Sequence, residues 1–191
     1  MAGKERIVLG SGKVFTKEFT DTIPDIDALC VEENRLGYIQ GGATLEYKPT
    51  FYEAKDDLGY VTKTILTEEE VTLKTGVLTF NGNVLKKLCA TGRVTEADGK
   101  RTVKIGGVGN QDKKSYVICF KHEDAEDGDI YVMIVGNNQS GFSLAFAKDK
   151  ETVIDAEFKA KPHDKEGTLI QYIEEIDKTQ EGQQTQEEGK Q

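Results

Sequence analysis

A chain of 191 residues, 37% hydrophobic and 31% charged, is long enough for one domain with a real core. Its formal net charge of −9 argues against ordinary nucleic-acid binding and against an anionic membrane surface as partner, both of which call for Lys and Arg. No apolar run approaches the roughly 20 residues of a membrane helix, and the N-terminal MAGKERIVLGSGK lacks the apolar core of a secretory signal.

In chain order, Arg6–Leu9 and Val14–Phe19 flank Gly10-Ser11-Gly12 and read as a hairpin. Thr44–Ala54 alternates Leu45, Tyr47 and Phe51 against Glu46, Lys48, Thr50 and Tyr52. After the polar turn Lys55–Gly59, the stretch Tyr60–Phe80 sets Val71, Leu73 and Val77 against Glu70, Thr72 and Lys74. The pair predicts an extended hairpin with one polar face. The clearest helix follows, with Val84, Leu85, Leu88 and Cys89 on one stripe, Asn81 or Asn83 as cap and Gly92 as stop. Its apolar stripe is expected to face a sheet, leaving Lys86 and Lys87 on the solvent or intersubunit side. Strands are predicted again at Arg101–Ile105, Ser115–Lys121, Ile130–Val135, Phe142–Ala147, Val153–Ala160 and Thr168–Ile176. Short strands at this spacing indicate an antiparallel sandwich or barrel. The domain is drawn as 1–177, and Lys178–Gln191, rich in Gln and without an apolar residue, reads as a disordered acidic tail.

Enzyme signatures are weak throughout. The strand–glycine–helix run LKTGVLTFNGNVLKKLCATG lacks the G-x-x-x-x-G-K-[ST] spacing of a phosphate loop, and IGGVGNQ opens no βαβ unit. Cys119 and His122 fall on opposite faces of one strand, so they cannot share a zinc ion. Cys30, Cys89 and Cys119 lie among apolar neighbours and read as buried reduced thiols, fitting synthesis in a reducing cytoplasm. The acidic runs Glu68–Glu70 and Glu123–Asp129 match no calcium-loop pattern and read as solvated turns. The reading is a non-enzyme with no catalytic residue, no cofactor and no metal site.

The long hairpin exceeds the usual five-to-six-residue strand, and left uncovered it would be an aggregation hazard. Closing the sheet through neighbouring copies removes the free edge. At this point the sequence resembles the major tail tube proteins of long-tailed bacteriophages. The resemblance rests on GYIQGGATLEYKPTFYEAKDDLGYVTKTILTEEEVTLKTGVLTF (Gly37–Phe80), on NVLKKLCATG, and on FSLAFAKDKETVIDAEFKAKPHDKEGTLIQYIEE, a pattern spread over most of residues 5–177. It implies a mainly β fold of two packed antiparallel sheets flanked by one short helix. It further implies homo-hexameric rings whose inner sheets join into a barrel, stacked around a tape measure protein and closed by a tail terminator. Such a subunit is assembled in the host cytoplasm and resides in the virion tail, where DNA transits an acidic lumen without specific binding. The polar positions Thr44, Glu46, Lys48, Glu68, Glu70 and Thr72 then face either that lumen or plain solvent. Glu53, Lys55, Asp56 and Asp57 at the hairpin tip, with Lys4 and Arg6 in the N-terminal arm, reach a neighbouring ring or stay solvated. The alternative is a carbohydrate- or receptor-binding β-sandwich.

Overall fold

The computed structural model of the chain describes residues 7–176; Lys4, Arg6 and the tail read at Lys178–Gln191 lie outside the described residues. In chain order it contains β1 (Lys13–Glu18), α1 (Ile26–Leu29), a 3-10 turn, β2 (Arg35–Gly37), β3 (Ile39–Lys55) and β4 (Thr62–Val77). There follow α2 (Gly82–Lys87), β5 (Arg93–Ala97), β6 (Lys100–Lys104), a second 3-10 turn, β7 (Tyr116–His122), β8 (Ile130–Asn138), β9 (Ile154–Ala160) and β10 (Gln171–Glu174). The class is mainly β and wholly antiparallel, as expected, with two sheets. The large one runs β2-β1-β7-β8-β9-β4-β3 with β10 added to β8, and β5–β6 forms the small one.

Period-2 alternation gives the large sheet two different faces. On one, Val14, Ile118, Ile134, Ile154, Phe158, Leu73, Val71 and Val77 close on a shared core into which α2 inserts Val84 and Leu88. The two halves of the sheet thus curl around a common interior. On the other face, Phe15, Val117, Cys119, Met133 and Val135 are covered by the α1 segment through Ile23, Ile26 and Leu29. The strands β1, β7 and β8 are therefore buried on both sides.

One backbone position sets the path between the halves. β8 pairs with β10 at Ile130–Met133 and with β9 from Gly136 onward, on the same edge. At Gly136 the chain of β9 comes so close that any Cβ would sit on the Lys159 carbonyl oxygen. Only glycine permits that approach.

α2 begins where the sequence placed it. Asn81 Oδ1 accepts from the backbone N–H of Asn83 at 2.9 Å and of Val84 at 3.2 Å, a cap contributing about 1 kcal/mol. A second helix, the four-residue α1, joins the one anticipated.

Three expectations are corrected. Residues 7–9 form no strand, because β1 is already paired by β2 on one edge and by β7 on the other. Phe142–Ala147 is likewise not a strand: the edges of β9 are taken by β4 and β8, and Phe142 and Leu144 serve instead as loop side chains packed on the core. The hairpin β5–β6 went half unread. Its turn, Asp98-Gly99, has φ of 52° and 69°, the left-handed pair that an Asp-Gly dipeptide between two strands signals.

Candidate assembly surface

Strand pairing carries β3 and β4 far beyond the body of the molecule. At about 3.4 Å per residue, the stretch from Leu45 to Lys55 extends roughly 34 Å. Along it the two strands pair from Leu45↔Leu73 to Lys55↔Thr62; Val71, Thr72 and Leu73 are still buried at its foot, and from Pro49↔Glu69 outward every residue of both strands is exposed. The hairpin is an arm.

The arm has internal order without external cover. Its tip is closed by Asp56, whose Oδ1 accepts from the Val61 N–H at 2.7 Å, which holds that carboxyl below its usual range. An extra residue at Thr67 shifts the register, and the Thr67 hydroxyl donates to the Thr50 carbonyl at 3.0 Å. The bulge aligns Phe51 opposite Leu66 on one face and Tyr52 opposite Ile65 on the other. All four apolar side chains remain about half exposed, and Tyr60 near the tip is 84% exposed. Glu53, Lys55, Asp56 and Asp57 lie at this distal end, with Lys55 Nζ 3.1 Å from Glu53.

Nearer the body, the arm runs into a charged face. Register places Thr44 opposite Lys74, Glu46 opposite Thr72, Lys48 opposite Glu70, and Thr50 opposite Glu68. All six polar-face positions named from the sequence, Thr44, Glu46, Lys48, Glu68, Glu70 and Thr72, therefore share one face of the sheet. β9 extends it, with Glu157 opposite Lys74 and Lys159 opposite Thr72. This is the side that the α1 segment covers over β1, β7 and β8 and leaves open over β9, β4 and β3.

The face is a lattice of alternating charge. Lys74 Nζ lies 3.1 Å from Glu46 and 3.8 Å from Glu157, Lys48 lies 3.2 Å from Glu46, and Lys159 lies 3.2 Å from Glu70. Lys74 and Lys48 hold the Glu46 carboxyl below its ordinary value, and Glu46 in turn raises Lys74. A uniformly acidic wall is thus not what these strands present on one chain. Like charges directly across a sheet repel, and the register here sets Lys against Glu in each charged pair. The members from β9 were legible in VIDAEFKAK, where Asp155, Glu157 and Lys159 alternate with Ile154, Ala156 and Phe158, but they were not picked out from the sequence.

Lys87 departs from expectation. Its Nζ turns inward, 3.1 Å from Thr16 Oγ1 and 3.4 Å from the Thr16 carbonyl oxygen, instead of pointing to solvent. Burial alone pushes its pKa down. A lysine that holds its proton less tightly when folded adds stability as pH rises from its folded to its unfolded value. The parent protein is therefore expected to gain stability relative to Lys87→Met as pH rises toward the ordinary lysine value of about 10.4, read from urea midpoints at each pH.

A cleft of about 640 Å³ lies at the foot of the arm, lined by the charged groups Lys74, Asp155 and Glu157, of which Lys74 and Glu157 are paired with each other. Among the described residues no three His, Cys, Asp or Glu side chains gather as a metal site would require. Cys119 and His122 occupy opposite faces of β7. Cys119 lies under α1, and the His122 ring nitrogen Nδ1 is 2.9 Å from the Ser11 carbonyl. No protein-family model and no curated protein matches this chain.

Proposed function

We propose that this chain is a self-assembling structural subunit of the bacteriophage tail-tube kind, forming stacked six-membered rings that enclose a passage for DNA. The observation that carries the reading is the arm. An extended hairpin with Phe51, Leu66, Tyr52 and Ile65 exposed on both faces is stable in water only when something covers it. A second copy offers a matching surface, and closure through repeated copies leaves no free sheet edge. The open charged face then becomes the inner wall of the ring. A wall of Lys–Glu pairs gives passing phosphates no run of unpaired cations to hold, so DNA slides without specific binding.

The test is negative-stain electron microscopy of the purified full chain. Rings or tubes roughly 100 Å wide are expected, from ~24 inner strands spaced ~4.8 Å apart plus an outer layer. A chain that stays monomeric at every concentration and salt, also with its tail partners present, would overturn the reading. Phe51, Tyr52 and Tyr60 exposed together on the arm also suit the second reading, a carbohydrate- or receptor-binding module. Binding on a glycan array by an unassembled monomer is the result that would favour it.

A further inference from the structure

We infer that Cys30 and Cys119 form a reversible disulfide by exchange with a low-molecular-weight disulfide such as oxidised glutathione, tying the α1 segment to β7. The two sulfurs are 3.8 Å apart. A disulfide bond is about 2.05 Å, so closure asks for less than roughly 2 Å of movement, within reach of side-chain rotation and a small shift of the loop.

The two positions differ in the way an exchange reaction needs. Cys119 sits in the middle of β7, between Phe15 of β1 and Met133 of β8, and is fully buried and held on both edges. Cys30 follows α1 at its C-terminal end and is only half-buried, so an external disulfide has access to it and not to Cys119. The segment that carries Cys30 is anchored close by, since Leu29 is fully buried and Asn34 Nδ2 donates to the carbonyls of Ala28 and Leu29. The hydrogen bond between the two thiols, aided by the Lys121 ammonium, lowers the Cys30 pKa, while that same bond and burial raise Cys119. Cys30 is the attacking thiolate and Cys119 the resolving thiol. Cys89 follows α2, which packs into the other core.

The exchange balances in two steps. Cys30 loses its proton to solvent and attacks one sulfur of the external disulfide, RSSR. The S–S bond breaks, RS⁻ leaves and takes up a proton, and a mixed disulfide remains on Cys30. Cys119 then gives up its proton and attacks the Cys30 sulfur, expelling the second RS⁻, which is protonated in turn. Two protein thiols are oxidised and one RSSR is reduced to two RSH. Excess thiol reverses both steps. The product staples α1 to the sheet across a sequence separation of 89 residues, and it does not depend on whether the chain assembles.

The experiment uses the full chain with Cys89→Ser, incubated with oxidised glutathione, alkylated under denaturing conditions and mapped by mass spectrometry. The expected result is a Cys30–Cys119 linked peptide, two hydrogens lighter than the sum of its parts, as the majority species. It is lost again on adding dithiothreitol and absent from a Cys30→Ser variant, whose half-buried position tolerates the change. Glutathione retained on Cys30, alkylation of both thiols, or a link between two copies would each overturn the inference.

Discussion

A chain carrying Phe51→Lys and Leu66→Glu is expected to fold and to stop assembling. The two positions face each other across the arm, and opposite charges there preserve the cross-strand pair. Both side chains are about half exposed in the isolated chain, so the folded monomer loses little, about 0.5 kcal/mol or less per site. In an assembly that covers the arm, each lost side chain removes the burial of its exposed half, about 0.8–1.5 kcal/mol. Together they raise the concentration needed for assembly by about 10–10²-fold, at tenfold per 1.4 kcal/mol. Analytical sedimentation and electron microscopy report the assembly, and circular dichroism reports the fold. Assembly at the parental concentration would show that the arm is not the contact.

Phe158→Ala is expected to act in the opposite way, on the fold itself. Phe158 lies on β9 opposite Leu73 of β4 and next to Asn138 of β8, and it is among the largest fully buried side chains. It joins the two halves of the curled sheet, so truncation leaves a cavity that neighbouring strands cannot collapse into without breaking register. The loss is about 3–5 kcal/mol. For a chain of this size that lowers Tm by roughly 6–20 °C, measured by thermal unfolding of the unassembled protein. A change below about 1 kcal/mol would contradict the shared core.

The contrast between these two sites reflects how unevenly the sequence discloses its fold. The alternation in Thr44–Phe80 was enough to predict the long hairpin and to name six polar positions that share a face. Asn81 announced its helix, because capping is a local bond between a side chain and backbone groups two and three residues on. The Asp98-Gly99 hairpin was equally local and could have been read from its dipeptide. By contrast, Phe142–Ala147 has strand-like alternation and forms no strand, since a strand needs a free neighbouring edge and none remained. The inward turn of Lys87 was also invisible: a six-residue helix can pack in several rotations, and its contact with Thr16 is decided by the sheet beneath it.

By itself, then, the sequence determined what short-range chemistry controls: the mainly β class, the period-2 faces of the hairpin, the helix cap and the net negative charge. The tertiary structure alone decided which strand edges were occupied, that the hairpin leaves the body as an arm exposed on both faces, that β9 completes a lattice of Lys–Glu pairs, and that Cys30 comes to lie 3.8 Å from Cys119. Those outcomes depend on pairings between residues far apart in the chain. Such pairings compete for the same edges, and a pattern read along one strand does not reveal which competitor wins.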